Sequence, residues 1–268
     1  MTPPTRDALV NYLVRTGIAG NVATPRDDNL RHYLRLAQGN PYYALGLVFE
    51  RSWNYAEILQ LMAKRCGVVA DEDYRRGVDT INPERTVDAL ESAAQRIGEA
   101  IQQGQRVLFA TGHPDSLLFA YQEWARALES CGVDRVSAAG AGFEYRLART
   151  DRGSRRRVVE WAAGVAYVTD GREPRHSHHP DGMHGILADL ARTDWPDLVV
   201  ADHGFAGAAG QAGLDVIGFA DCNDPGLFVG EAEGRIHTAV PLDDGYAPEY
   251  YAPLSAYLLH HALGHADR

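Results

Sequence analysis

Cysteine is scarce in this chain, and its three cysteines stand far apart. Cys66, Cys131 and Cys222 are an odd number among 268 residues and form no CxxC pair. A disulfide framework or a structural zinc site is therefore not expected. Such sparse cysteine is typical of a reducing compartment, and we expect a cytoplasmic protein.

Long apolar runs and basic charge are lacking as well. No stretch approaches the roughly 20 apolar residues that cross a bilayer, and the first residues have no apolar core of signal-peptide length. Lysine and arginine number 26 against 36 acidic residues, for a net charge of −10. Because phosphate backbones reward basic residues, we expect neither nucleic-acid nor membrane partners. The sequence leaves a homo-oligomer open.

The first 104 residues have the pattern of helices. The segment Thr24-Pro25-Arg26-Asp27 is typical of a helix start, and Asn82-Pro83-Glu84 repeats it before a helix expected over about 84–103. A further helix is expected over 52–64, and no segment has a convincing strand pattern. We predict a helical N-terminal region over residues 1–104, which acts as a lid or packing element.

From residue 105 onwards the spacing of the apolar residues changes, and short apolar runs alternate with helical stretches. The strands are expected at 106–111, 133–139, 198–201, 216–220 and 236–240, with an antiparallel pair or edge extension at 143–148 and 156–168. This alternation predicts an α/β catalytic core over 105–268, with a mostly parallel sheet and helices on both faces. Ligands in such sheets bind outside the carboxyl ends of the strands.

The turn after the first of these runs suits an anion. Thr111, Gly112 and His113 precede Pro114, which is expected to begin a helix. The start of a helix offers unpaired N–H groups and a positive dipole end, which favour a phosphate. We expect Thr111, Gly112 and His113 to contact the substrate, and His113 also to transfer a proton. An ordinary helix cap is the alternative.

Two later apolar runs each stop at an acid, one at Asp202 and one at Asp221. Crowded carboxylates repel one another unless a cation binds them, and oxygen donors suit a hard divalent ion. We predict a site for magnesium, or else manganese or zinc, whose ligands are Asp202, Asp221, Asn223 and Asp224. Asp202 and His203 are also expected to take part in catalysis. The alternatives are a helix cap at Asp202 and an Asx-turn before Pro225.

Four histidines precede these acids: His176, His178, His179 and His184. Imidazoles suit zinc or manganese better than magnesium, but no HExxH register is present. We expect at least one of the four to be functional, with His176 and His178 contacting a substrate phosphate. Histidines in a loop can instead be merely solvated.

Two weaker candidates lie elsewhere in the chain. The pair Asp243-Asp244 is first a turn, but it follows a strand end and could add a metal ligand from the same edge. Arg26 and Asn29 could reach a substrate from the helical region, with a surface helix cap as the alternative.

Motifs of several enzyme classes are absent. There is no GxSxG elbow, no Walker A motif and no GxGxxG after a strand, so a nucleotide cofactor is not indicated. The segment 221–224 resembles the last acidic motif of haloacid-dehalogenase-type phosphatases. That superfamily also needs an early DxDx(T/V) strand, which the nearest candidate, 168–171, does not supply. We therefore reject that assignment.

Four motifs together resemble a little-characterised, actinobacterial-type family of bacterial phosphatases. They are Pro25-Arg26-Asp27-Asp28-Asn29-Leu30, Ala110-Thr111-Gly112-His113-Pro114, residues 199–204 and residues 220–225. The resemblance spans nearly the whole chain, and it implies a phosphomonoesterase whose site lies at these motifs.

The anion turn and the oxygen-rich cluster lead to the same hypothesis. We expect a metal-dependent phosphatase that hydrolyses a monoester of a small phosphorylated metabolite, with a divalent ion as its cofactor. Two alternatives stay open: a sugar-phosphate isomerase or lyase, and a non-catalytic binding protein for a phosphorylated metabolite.

Overall fold

The computed structural model describes residues 2–136, 144–146 and 156–266. Its helices are α1 (Arg6–Thr16), α2 (Arg26–Ala37), α3 (Pro41–Ala44), α4 (Tyr55–Arg65), α5 (Pro83–Gln102), α6 (Pro114–Ser130), α7 (Asp181–Asp189), α8 (His203–Gln211), α9 (Pro225–Ala232) and α10 (Ala252–Ala266). Its strands are β1 (Gly20–Pro25), β2 (Val78–Ile81), β3 (Val107–Thr111), β4 (Glu144–Arg146), β5 (Arg156–Ala162), β6 (Val165–Thr169), β7 (Leu198–Asp202), β8 (Asp215–Ala220) and β9 (Thr238–Pro241). Within these ranges, no helix has the length and apolar character to cross a membrane.

Seven strands form the central sheet, in the order β4-β5-β6-β3-β7-β8-β9. The pairs from β6 to β9 are parallel, whereas β4, β5 and β6 pair antiparallel. On one face α10 contacts both α5 and α6, and on the other α8 contacts both α7 and α9. This confirms the predicted α/β fold with a mostly parallel sheet and helices on both faces.

The central strands are continuous apolar runs because helices cover both of their faces. All five residues of β3 and all five of β7 are buried, as is typical of parallel strands in the middle of a sheet. The predicted strand at 133–139 is reduced to a bridge between Arg135 and Val107, and residues 137–139 lie outside the described part of the chain. The predicted antiparallel extension is confirmed as β4, β5 and β6.

The prediction of an N-terminal region without strands is wrong, because β1 and β2 form a two-stranded antiparallel sheet. Gly20 pairs with Ile81, some sixty residues further along the chain, so no local hairpin signal exists in the sequence. The expected cap at Thr24 is also absent: α2 begins after Pro25 without a side-chain cap. The Thr24 hydroxyl donates instead to Asp221, 2.6 Å away. A boundary at residue 104 stays a prediction.

A buried ion pair joins α2 to strand β2. The Arg26 guanidinium donates to Asp79 Oδ2 across 2.6 Å, and neither side chain has exposed surface. Its other nitrogens donate to the carbonyl oxygens of Val69, Asp71 and Tyr74. Asn29 Nδ2 donates to the same Asp79 oxygen. These contacts hold the guanidinium on all sides, so the pair is compensated in the folded state.

Replacing Arg26 by methionine should lower the free energy of unfolding by about 3–5 kcal/mol, because Asp79 would stay buried without its partner. Urea denaturation measures this change. Arg31→Met is the matched control on the same helix, since its pair with Asp28 is largely exposed and should contribute at most about 1 kcal/mol. Equal losses from the two variants would contradict this account of the buried pair.

Candidate functional site

The functional candidates meet at one edge of the sheet because four parallel strands end there. Strands β3, β7, β8 and β9 lie side by side in register, for example Ala110 against Ala201 and Ala220 against Pro241. Each strand ends in or lies close before one of four segments that carry the candidate residues: 112–113, 202–203, 221–224 and 243–244. The strand order therefore brings distant segments into contact, such as Gly112 and Asp202, which are 90 residues apart.

His203 lies at the centre of this edge. Its ring is 2 % exposed, and Nδ1 donates to Asp202 Oδ1 across 2.8 Å. The backbone N–H of Gly112 donates to the same oxygen at 2.7 Å, which fixes the carboxylate. The His203 backbone has φ 47°, a left-handed conformation that costs a non-glycine residue roughly 1–3 kcal/mol. With Nδ1 engaged, Nε2 points at the other residues of the cluster.

Three potential donors surround this Nε2 atom. Asp224 Oδ2 is 3.2 Å away, His176 Nε2 is 3.3 Å away and Asp244 Oδ2 is 3.5 Å away. Donors on a tetrahedral ion with bonds of about 2.0–2.1 Å are about 3.3–3.4 Å apart. The measured separations thus match the edges of a coordination shell.

Two glycines let residues 176–179, the histidine loop, lie directly on the strand ends. A Cβ at Gly112 would collide with the carbonyl oxygen of Ser177, and a Cβ at Gly204 with the backbone of His179. The Ser177 N–H donates to Gly112 O at 2.8 Å. The missing side chains therefore allow His176 and His178 to reach the cluster.

His178 and His203 lie beside different oxygens of the Asp224 carboxylate. His178 Nδ1 lies 3.4 Å from Asp224 Oδ1, and the His178 ring stacks on Tyr42 with centroids 4.9 Å apart. The ring of His113 lies 4.2 Å from that of His176, centroid to centroid.

Several polar atoms of the cluster are buried and have no hydrogen-bond partner among the residues that the structure describes. They are His113 Nδ1, His178 Nδ1, Asp202 Oδ2 and Asp244 Oδ2. Leaving a buried polar atom unpaired costs about 1–3 kcal/mol, and more when the group is charged. Such atoms collected in one place point to a bound polar partner.

Burial and neighbouring charges shift the ionisation of these groups. Burial lowers the pKa of His176 to about 2 and that of His178 to about 4, so both rings are neutral at neutral pH. Burial alone would raise the pKa of Asp224, but His178 and His203 hold it below its usual value. Burial raises the pKa of Asp244 to about 7. Burial alone would lower the pKa of His203, but Asp224 and Asp202 raise it above its usual value. Because neutral imidazoles and ionised carboxylates are the forms that bind metal cations, a cation would displace protons from His203 and Asp244.

Comparison with known proteins gives the family of the chain. A family model described as Phosphatase matches residues 4–266. The chain belongs to this family. A relative, phosphatase SCO2771 of Streptomyces coelicolor, is 46% identical over 260 residues, which cover 96% of this chain and 95% of the relative. The resemblance drawn from the four sequence motifs is thereby confirmed.

In this member of the Phosphatase family, hydrogen bonds of Asp221 and Asn223 fix the loop of residues 221–224. Asp221 accepts hydrogen bonds from Thr24 Oγ1, the Cys222 N–H and Asn223 Nδ2. The loop is also tied to α2, where His32 Nδ1 lies 2.8 Å from the carbonyl oxygen of Asn223 and the Tyr33 hydroxyl donates to that of Cys222. A ligand role for Asp221 and Asn223 stays a prediction, which these contacts do not favour.

The turn before α6 offers less to an anion than its sequence suggests. The N–H of Gly112 is bonded to Asp202, and that of His113 donates to Thr111 Oγ1. Pro114 has no N–H, and Ser116 N–H donates to the His113 carbonyl oxygen. Thr111 and Gly112 thus orient their neighbours in this structure, and their contact with substrate stays a prediction.

The remaining expected substrate contacts lie in the buried network of α2. The donors of Arg26 are engaged there, and Asn29 Nδ2 is shared between Asp79 and Cys222 Sγ. Their predicted role at the substrate is untested. The sequence predicted Asp244 only as a weaker metal-ligand candidate, and it did not indicate His32 or Tyr42. Asp244 follows a strand end just as Asp202 does, so the same rule applies to it.

Gly112→Ala should destabilise the fold by about 1–3 kcal/mol, because the new methyl group would displace Ser177 and the histidine loop. Urea denaturation measures the loss. Gly264→Ala in α10 is the control: nothing lies near its Cβ position, so it should be neutral or stabilising by up to about 1 kcal/mol. An unchanged stability in Gly112→Ala would show that the loop does not rest on this glycine.

Proposed function

We propose that this chain is a metal-dependent phosphatase that hydrolyses the monoester of a small phosphorylated metabolite at the cluster around His203. The observation that carries the proposal is the convergence of His203 Nε2 with Asp224 and Asp244, buried and within 4.8 Å of one another. Membership of the Phosphatase family supports the reaction class. The name of the Streptomyces relative agrees with it.

The donor set fits a divalent cation. His203 Nε2, Asp224 Oδ2 and Asp244 Oδ2 offer one nitrogen and two oxygens at suitable separations, and Asp244 Oδ2 has no hydrogen-bond partner. Three protein donors leave coordination positions open, as catalytic sites require. Because imidazoles surround the cluster, manganese or zinc fits better than magnesium, the cation first expected from the acids.

When bound, the cation supplies positive charge for the phosphoryl group and makes a water molecule more acidic. The protein holds the donors in place. Asp202 fixes the tautomer and orientation of His203, as carboxylates behind metal-bound histidines do. Burial around His203 keeps bulk water away, which strengthens every charge interaction inside.

His113 is the candidate for proton transfer in the reaction. It lies at the start of α6, beside His176 and outside the group of Asp224, Asp244 and His203. Burial lowers the pKa of its ring, so the ring is neutral at neutral pH and suited to accept a proton from the attacking water. His203 is less suited to this role, because both of its nitrogens are directed at carboxylates.

The reaction class is tested with a panel of small phosphate monoesters. Protein treated with a chelator should lose phosphate release, and manganese, zinc or magnesium should restore it. Asp244→Asn should lower kcat/KM on the order of 10²-fold or more, since it weakens a donor to the cation whose positive charge stabilises the transition state. Asp189→Asn, at an exposed acid of α7, is the matched control and should be unchanged.

Full turnover by Asp244→Asn, or turnover that a chelator leaves untouched, would overturn the metal-dependent mechanism. Substrate conversion without release of free phosphate would point to an isomerase or a lyase. Thermal stabilisation by phosphorylated compounds without any conversion would point to a binding protein.

The supporting role of Asp202 is tested separately. Asp202→Asn should weaken metal affinity about 10–100-fold while the first ligands stay in place. Calorimetric titration of the metal-free protein measures this affinity. A variant that binds the cation as tightly as the wild type would show that Asp202 has no part in orienting His203.

A further inference from the structure

The carboxylate of Asp224 faces two different imidazoles. Its Oδ2 atom lies 3.2 Å from His203 Nε2, and its Oδ1 atom lies 3.4 Å from His178 Nδ1. The side chain is 4 % exposed, so neither oxygen is turned to bulk water. One cation bound beside His203 uses the first oxygen and leaves the second directed at a separate nitrogen.

The donors of the cluster divide into two groups that share His203. One group is His203 with Asp224 and Asp244, and the other is His203 with His176 and His178. Once His203 is assigned to the acids, His176 and His178 remain, and His178 Nδ1 faces Asp224 Oδ1. The ring centroids of His176 and His178 are 4.8 Å apart. Together with Asp224 Oδ1, these two imidazoles would supply three donors to a second cation and leave positions open for substrate.

His178 is held in place for such a role. Tyr42 stacks on its ring with an interplanar angle of 14°, and Gly204 lets its backbone lie against the start of α8. Its Nδ1 atom is buried and has no hydrogen-bond partner, although it lies close to Asp224. A nitrogen that is fixed, buried and unpaired gains most from a bound cation.

The charge of the site also calls for more than one cation. Asp202, Asp224 and Asp244 are three buried carboxylates around the same histidine. One divalent cation would leave a negative charge uncompensated, and a phosphate monoester brings further negative charge. Two divalent cations would leave the site positive and attractive to the substrate.

We infer that the site holds a second divalent cation, bound by His176, His178 and Asp224 Oδ1, with Asp224 bridging it to the first. This inference rests on the proposed function, because it needs the first cation beside His203. Cations bridged in this way are about 3.5–4 Å apart, which suits the oxygens of a transferring phosphoryl group.

The number of bound cations tests the inference directly. Metal-free full-length protein is loaded with manganese and desalted, and the metal is then counted by elemental analysis. We expect two manganese ions per chain and a spin-coupled paramagnetic resonance spectrum, because a shared carboxylate couples neighbouring ions. A double variant with His176→Gln and His178→Gln should bind one ion and give an uncoupled spectrum.

His184→Gln is the control for the histidine variants, since this exposed residue of α7 lies a few positions beyond His178. It should keep two ions and the coupled spectrum. Circular dichroism and the unfolding midpoint verify that each variant is folded. The wild-type count needs no variant, so the inference stays testable if the double variant fails to fold.

The outcomes separate this inference from the proposed function. One manganese ion per chain with an uncoupled spectrum, in a protein whose phosphate release still needs metal, overturns the second cation alone. His176 would then be a fourth donor to a single ion. A protein that binds no manganese and hydrolyses phosphate esters in the presence of a chelator overturns both.

Discussion

Buried negative charge around His203 is the constraint on which the rest of the site depends. Donor atoms of Asp224 and Asp244 lie within 4.8 Å of each other, with His203 beside both. Two carboxylates at that separation repel by roughly 3–4 kcal/mol at the effective dielectric constant of a protein. The protein responds by dividing the charge: the pKa of Asp224 falls below its usual value, and burial raises that of Asp244 to about 7. Bound cations would relieve this repulsion.

The backbone is shaped to bring these groups together. His203 adopts a left-handed conformation directly after β7, which turns its ring into the cluster. Gly112 and Gly204 give up their side chains so that the histidine loop can lie against the strand ends. The N-terminal region contributes through Thr24 and Tyr33, which hold the loop that carries Asp224. It is therefore part of the support of the site, as well as a layer of packing.

The sequence predicts the sheet edge well because apolar runs and the turns that end them are local signals. Asp202 and Asp224 fall at strand ends by that rule, and the structure brings both beside His203. The β1–β2 sheet could not be predicted, because the residues that pair in it are some sixty positions apart. The position of His176 could not be predicted either, because it depends on the absence of a side chain at Gly112, in a distant segment of the chain.

Hydrogen bonding separates the acids that support the site from those that can bind a cation. Asp221 accepts bonds from a hydroxyl, an amide side chain and a backbone N–H, and Asp243 accepts from the N–H groups of Ala23 and Gly245. These two carboxylates are satisfied by the protein itself. Among the described residues, the Asp224 oxygens lie beside the imidazole nitrogens of His178 and His203, and Asp244 Oδ2 has no hydrogen-bond partner.

Sequence spacing cannot make that distinction, because Asp221 and Asp224 share one loop, as do Asp243 and Asp244. The protein donors that satisfy Asp221 and Asp243 come from the N-terminal region or from the loop itself. Each loop thus uses one acid to fix its own position and turns the other towards His203. The folded chain alone decides which acid lacks such protein donors, and a buried carboxylate without them is the one that a cation stabilises.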